Sequence, residues 1–127
     1  MHTVKQILGF KKINEIWSVR ADVTVFEAIQ VMADKRAGAL LVMNEDTLEG
    51  VISERDYARE VILKGRSSKK TLTGEIMSSD VISVPSTTAV QEALSVMTTH
   101  HIRHLPIVDD GSVIGVVSLG DLVKDVI

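Results

Sequence analysis

The chain repeats itself. A gapless shift of 65 residues lays residues 16–62 on residues 81–127, and fourteen of the 47 pairs are identical, among them Ser18/Ser83, Val25/Val90, Ala28/Ala93, Met32/Met97, Gly50/Gly115, Ser53/Ser118 and Asp56/Asp121. Unrelated segments would share roughly two or three. The duplication confines the chain to two copies of one supersecondary unit. Neither copy buries much surface alone, so two copies related by a pseudo-twofold axis and sharing one core are the expected solution.

Both copies carry the same pattern. An apolar stretch (Glu15–Val19; Val81–Val84) leads into a helix with apolar residues at i, i+3, i+4 and i+7: Val25, Ala28, Ile29, Met32, and Val90, Ala93, Leu94, Met97. Asp22 or Thr24, and a residue within Ser86 to Thr88, suit the helix N-caps. Two short apolar runs around a polar turn then read as a hairpin: Ala39–Met43 with Leu48–Ile52, and His104–Val108 with Val113–Val117. A second helix closes each copy, over Ser53–Leu63 and Ser118–Val126. The fold class is therefore α/β in the broad α+β sense, built from two β-α-β-β-α repeats. Residues 1–14 form a lead-in segment with a short helix, 15–63 the first repeat, 64–75 a polar linker and 76–127 the second repeat.

Composition narrows the chemistry. With no cysteine, disulfides, thiol catalysis and cysteine-bound zinc are excluded. One Trp, one Tyr and two Phe leave an aliphatic core, and Trp17 is expected at a packing or dimer surface. The apolar patch Ile7, Leu8, Phe10 is too short for a signal peptide, and no run approaches the roughly 18 residues of a membrane span. A soluble cytoplasmic protein is expected, and its net charge of −3 argues against nucleic acid as partner. His100, His101 and His104 straddle a helix-to-strand passage near Ile102, so no metal site is expected.

The residues that carry chemistry lie where the second strand of each hairpin ends. Gly50-Val51-Ile52-Ser53-Glu54-Arg55-Asp56 and Gly115-Val116-Val117-Ser118-Leu119-Gly120-Asp121 share the form Gly, two apolar residues, hydroxyl, two variable residues, Asp. The hydroxyl can cap the following helix, whose first N–H groups face an anion. The Asp lies in the first turn, where a carboxylate can accept two hydrogen bonds from a ribose diol. The same spacing also makes a capping box, which stabilises a helix with no ligand at all. Both readings stand at this point. No nucleophile–base pair, P-loop or metal shell is present, so an enzyme is not expected.

These stretches, with Thr24-Val25-Phe26-Glu27-Ala28, Glu75-Ile76-Met77 and His104-Leu105-Pro106-Ile107-Val108-Asp109, resemble the tandem CBS domain pair, or Bateman module. The resemblance covers the chain beyond residue 14 and is nearest to stand-alone two-CBS proteins without a catalytic domain. It implies a non-catalytic regulatory sensor that binds an adenosine-containing ligand (AMP, ADP, ATP, NAD or S-adenosylmethionine) in clefts between the halves. It also implies a homodimer and an unidentified regulated protein. A dimerisation or interaction module without nucleotide is the alternative.

By the same resemblance Asp56 and Asp121 are the ribose-binding positions, and Ser53 and Ser118 contact ribose or phosphate. Asp56 would be opposed by Arg103 and His104, and Asp121 by Gly38 and Ala39. Adenine would lie against Ile52, Ile82 and Ile107, with Pro106 beside them. The two clefts are then unequal. Arg55, Arg103 and His104 supply charge-assisted donors to the first, whereas Gly120 stands where Arg55 would be in the second. Phosphate-bearing ligands are expected at Asp56, and a weaker, nucleoside-like or empty site at Asp121. Residues 55–70 add to this a local charge of +4, from which Arg66 and Lys69 are further candidate phosphate contacts.

Overall fold

The short apolar runs of each hairpin, and the 3.6-residue periodicity before it, place a helix against a short β ribbon. The computed structural model describes residues 2–10 and 16–127, so the beginning of the expected first strand, at Glu15, lies outside the described residues. The described chain divides into two compact units. The first is Trp17–Val81; the second is Ile82–Ile127 together with the described residues up to Ile16.

In the first unit β1 (Ser18–Val19) runs parallel to β2 (Ala39–Asn44), which turns back into β3 (Thr47–Ser53). Between β1 and β2 lies α2 (Val25–Lys35), capped by Thr24, whose Oγ1 accepts the Glu27 N–H at 3.2 Å. The second unit repeats this with α5 (Val90–His100) and the hairpin β4 (His104–Asp109) to β5 (Ser112–Ser118). The shift of 65 residues survives in fine detail. A register slip at Val42/Met43 recurs at Ile107/Val108, and the left-handed residues ending α2 and α5 are Arg36 and His101. The parallel pair Val19–Val42 recurs as a single bridge from Val84 to Ile107, so the expected opening strand of the second repeat shrinks to one residue.

Each unit has its own apolar cluster. Val25, Ala28 and Met32 pack on Leu40, Val42 and Ile52 in the first; their counterparts Val90, Ala93 and Met97 pack on Leu105, Ile107 and Val117 in the second. One ribbon and one helix leave an open side, and a short lead-in helix covers it. In the second unit this is α1 (Val4–Phe10), which buries Val4, Ile7 and Leu8. In the first it is α4 (Thr73–Ile76), from the connector between the repeats. The two dock alike. Val4 and Lys5 N–H reach the carbonyls of Thr88 and Ser86, as Thr73 and Gly74 N–H reach those of Val23 and Ala21. Gln6 Oε1 accepts the Thr3 N–H at 2.9 Å, as Glu75 Oε2 accepts that of Leu72 at 2.6 Å. These segments match with a shift of 69, so the helix that precedes the first repeat completes the second.

One expected cap is corrected. Neither Ser86 nor Thr88 caps α5; its N-cap is Ala89, without a side-chain bond. Ser86 is held instead by Asp109, whose two carboxylate oxygens accept its N–H at 2.9 Å and its Oγ–H at 2.6 Å. The Thr88 backbone is already engaged by Val4 and Pro85. No helix among the described residues is long and apolar enough to cross a membrane.

Two predictions follow from this packing. A Cβ on Gly50 would stand 2.7 Å from both Met77 Sδ and the Ser78 backbone oxygen, whereas on Gly115 it would meet only the Leu8 side chain. Backbone cannot yield as a leucine tip can, so Gly50→Ala should cost about 1–3 kcal/mol and Gly115→Ala less, read by urea unfolding. The Ser86 bonds hold the Asp109 carboxyl below its ordinary value. A lowered carboxyl stabilises the fold above its unfolded pKa, and that stability is lost as pH falls through the folded one. The melting temperature of wild type should therefore exceed that of Asp109→Asn above about pH 4, and the gap should close in more acid buffer.

Candidate ligand site

An extended strand that must become a helix leaves the first helical N–H groups without partners, and a hydroxyl at the junction satisfies them. Ser53 ends β3 in extended conformation and caps α3 (Glu54–Tyr57), which continues as a π-helical turn over Ala58–Ile62. Its Oγ accepts the Asp56 N–H at 3.1 Å, while Asp56 Oδ2 accepts the Ser53 N–H and Oγ–H, both at 2.9 Å. Ser118 does the same for α6 (Leu119–Val126): its Oγ accepts the Asp121 N–H at 3.1 Å and its N–H donates to Asp121 Oδ2 at 2.8 Å. Both copies are reciprocal capping boxes.

The cap engages one carboxylate oxygen of Asp56. Oδ1 has no hydrogen-bond partner among the described residues, and the side chain is only half-buried. Beside it the Arg55 side chain is exposed and makes no ion pair or hydrogen bond among the described residues. At the matching position the space around Gly120 is open, its nearest neighbour for a Cβ being Ser118 Oγ at 3.7 Å. Packing does not require that glycine. The charge difference between the two helix starts is therefore a difference of chemistry that the fold leaves free.

The residues before each second strand stand against the helix start of their own unit. The Gly38 carbonyl accepts the Glu54 N–H at 3.0 Å and Ala39 pairs with Ser53; the Arg103 carbonyl accepts the Leu119 N–H at 2.8 Å and His104 pairs with Ser118. Arg103 and His104 are exposed. Ile52 and Ile107 are fully buried in the two clusters and Pro106 is buried in β4. Of the aliphatic residues expected against a base, Ile82 is the one that keeps exposed surface. In the connector, Arg66 is bound to Glu75 at 3.3 Å and Lys69 lies 4.8 Å over the Phe26 ring.

The sequence did not single out an open hollow of about 320 Å³ in the first unit, between the end of α2 and the start of α3. Ile29, Met32, Arg36, Gly38 and Glu54 line it. Arg36, in the left-handed conformation that ends α2, is among its lining residues.

Comparison with known proteins gives a consistent family. The CBS domain matches over residues 5–63 and 74–127. A mitochondrial CBS domain-containing protein of Arabidopsis thaliana is 41% identical over 117 residues, 88% of this chain and 56% of that protein. A CBS domain-containing protein of Bacillus subtilis is 33% identical over 108 residues, 85% of this chain and 76% of that one. The chain thus spans little more than half the length of the Arabidopsis relative. Among solved structures, a protein with CBS domains from Burkholderia ambifaria, ascribed to signal transduction, superposes with a TM-score of 0.87 at 46% identity, covering 99% of this chain and 94% of that one.

The caps can be tested apart from any ligand. Ser53→Ala and Ser118→Ala should each lower stability by about 0.5–2 kcal/mol in urea unfolding. Gly120→Arg should not lower it, because the added side chain enters open space and arginine favours a helix over glycine.

Proposed function

Because the chain belongs to the CBS-domain family, with one copy of the domain in each repeat, we propose that it is a non-catalytic sensor of an adenosine-containing ligand. AMP, ADP, ATP, NAD and S-adenosylmethionine share the group it would read. The observation that carries this reading is Asp56. Its capping bonds fix the carboxylate at a helix start and leave Oδ1 available, next to the unpaired guanidinium of Arg55. A fixed carboxylate is what a ribose diol needs, and an adjacent guanidinium is what a phosphate needs. Ser118 and Asp121 supply a second ribose-reading pair with Gly120 in place of the arginine. We assign phosphate-bearing ligands to the Asp56 site and a weaker, nucleoside-like preference to the Asp121 site.

Micromolar affinity, about −8 kcal/mol, would serve a sensor, and charge-assisted bonds of ~1.5–3 kcal/mol each supply a good part of it. The ligand acts by shifting the protein, as a homodimer, between two arrangements that its partner protein distinguishes. The shift is limited by the ligand's differential affinity for them.

A second reading rests on the capping boxes themselves. They give Ser53, Asp56, Ser118 and Asp121 a purely structural role, and the chain would then be a dimerisation or interaction module. Thermal melts with AMP, ATP, NAD and S-adenosylmethionine separate the two. A ligand at 100 times its Kd stabilises by about 2.7 kcal/mol, a shift of several degrees for a domain of this size. The sensor requires such a shift with an adenosyl compound, its absence with guanosine analogues, and its loss in Asp56→Ala beyond the small drop in the unliganded melting temperature. Failure of every adenosyl compound at millimolar concentration would leave the interaction module.

A further inference from the structure

The first unit carries a surface that neither the fold nor the ligand reading uses. Leu63 is 78% exposed and Ile62 56%, with Leu72 and Phe26 at 42% and 37%. The π-helical turn sets this up. With the Leu63 N–H bonded to the Ala58 carbonyl at 3.0 Å, Val61 turns inward to 1% exposure, whereas its repeat counterpart Val126, on a regular α-helix, is 50% exposed. Ile62 and Leu63 are left outside. The second unit makes the same fold with Gln91 in place of Phe26 and Thr3 in place of Leu72, so the core does not require these apolar groups.

Cations surround them. Lys64 is paired with Glu60 at 2.6 Å, and the charges of Arg66 and Arg59 also act on that carboxyl, which is held below its ordinary value. Lys69 sits over the Phe26 ring. Arg59 and Lys70 have no ion pair or hydrogen-bonded side chain among the described residues. Nor is the connector a loose tail. Its backbone is tied by Arg66 N–H to Val61 O at 2.9 Å, Phe26 N–H to Ser68 O at 3.0 Å and Thr71 Oγ1 to Ser67 O at 2.7 Å. A chain with net charge −3 thus concentrates fixed positive charge around exposed aliphatic groups.

We propose that this surface docks an acidic, leucine-bearing segment of a partner protein. The free cations, Arg59 and Lys70, receive its carboxylates by charge complementarity, and Leu63 and Ile62 receive its apolar side chain. A lipid surface fits less well. Phe26 and Leu72 keep only 37% and 42% of their surface exposed, which leaves little apolar area to insert into an acyl layer.

The test is fluorescence anisotropy of a labelled twelve-residue peptide repeating Asp-Leu-Glu, with the whole chain and no nucleotide, so the result is independent of the sensor reading. Binding is expected at low salt and should weaken about tenfold at several hundred millimolar salt. It should weaken at least about fivefold in Arg59→Glu/Lys70→Glu and in Leu63→Ser, and be unchanged in Lys124→Glu, the exposed repeat counterpart of Arg59 on the other unit. Peptides with Lys for the acids, or Ser for Leu, should not compete. Thermal melts confirm that the exposed substitutions leave the fold intact. The proposal is overturned by no binding at millimolar protein, by affinity that ignores both variants, or by phosphatidylserine vesicles binding in place of the peptide.

Discussion

A two-stranded ribbon with one helix across it cannot close an apolar core, and the need for a further covering element governs this protein. Each unit solves it with a short lead-in helix that brings its own apolar side chains over the ribbon, at Leu8 above Gly115 and at Met77 above Gly50. The glycines are there for approach rather than for backbone conformation, since any side chain would occupy the space the helix fills. The covering helix is pinned by backbone bonds to the segment before the main helix, so it is held to the unit by hydrogen bonds as well as by apolar contact. The path of the chain follows from this. α1 completes the second unit, and the connector completes the first.

The same economy operates at the helix starts. A Ser–Asp pair at a strand-to-helix junction satisfies orphan N–H groups, and by doing so it immobilises a carboxylate. Stability and the proposed ligand chemistry are therefore not rival uses of Asp56: the bonds to Oδ2 orient the group, and Oδ1 has no hydrogen-bond partner among the described residues. Because the cap is common to both units, the difference between them must come from residues free of structural duty. Arg55 and Gly120 are such a pair, as are Phe26 and Gln91.

What could be read in the sequence was whatever both repeats need in the same register. Val25, Ala28 and Met32, the hairpins, and the Ser-x-x-Asp spacing all recur at a shift of 65, and each recurrence marks a position where burial or capping leaves little choice. The lead-in helices escaped this comparison because their shift is 69 and their residues are dissimilar; His2 to Gly9 and Thr71 to Ser78 match only in how they dock. The role of Ser86 escaped too. A serine before a helix suggests a cap, but a carboxylate far along the chain, Asp109, offered it two bonds and drew it away.

By itself the sequence determined the duplicated α/β unit, its aliphatic core and the capping motif, because periodicity and local hydrogen bonding act over a few residues and leave a pattern in the chain. Tertiary structure alone decided which helix closes which core, which of Val61, Ile62 and Leu63 turns inward, and where Ser86 finds its partner. Those choices depend on contacts between segments far apart in sequence and on the filling of a particular volume. Neither leaves a local signature.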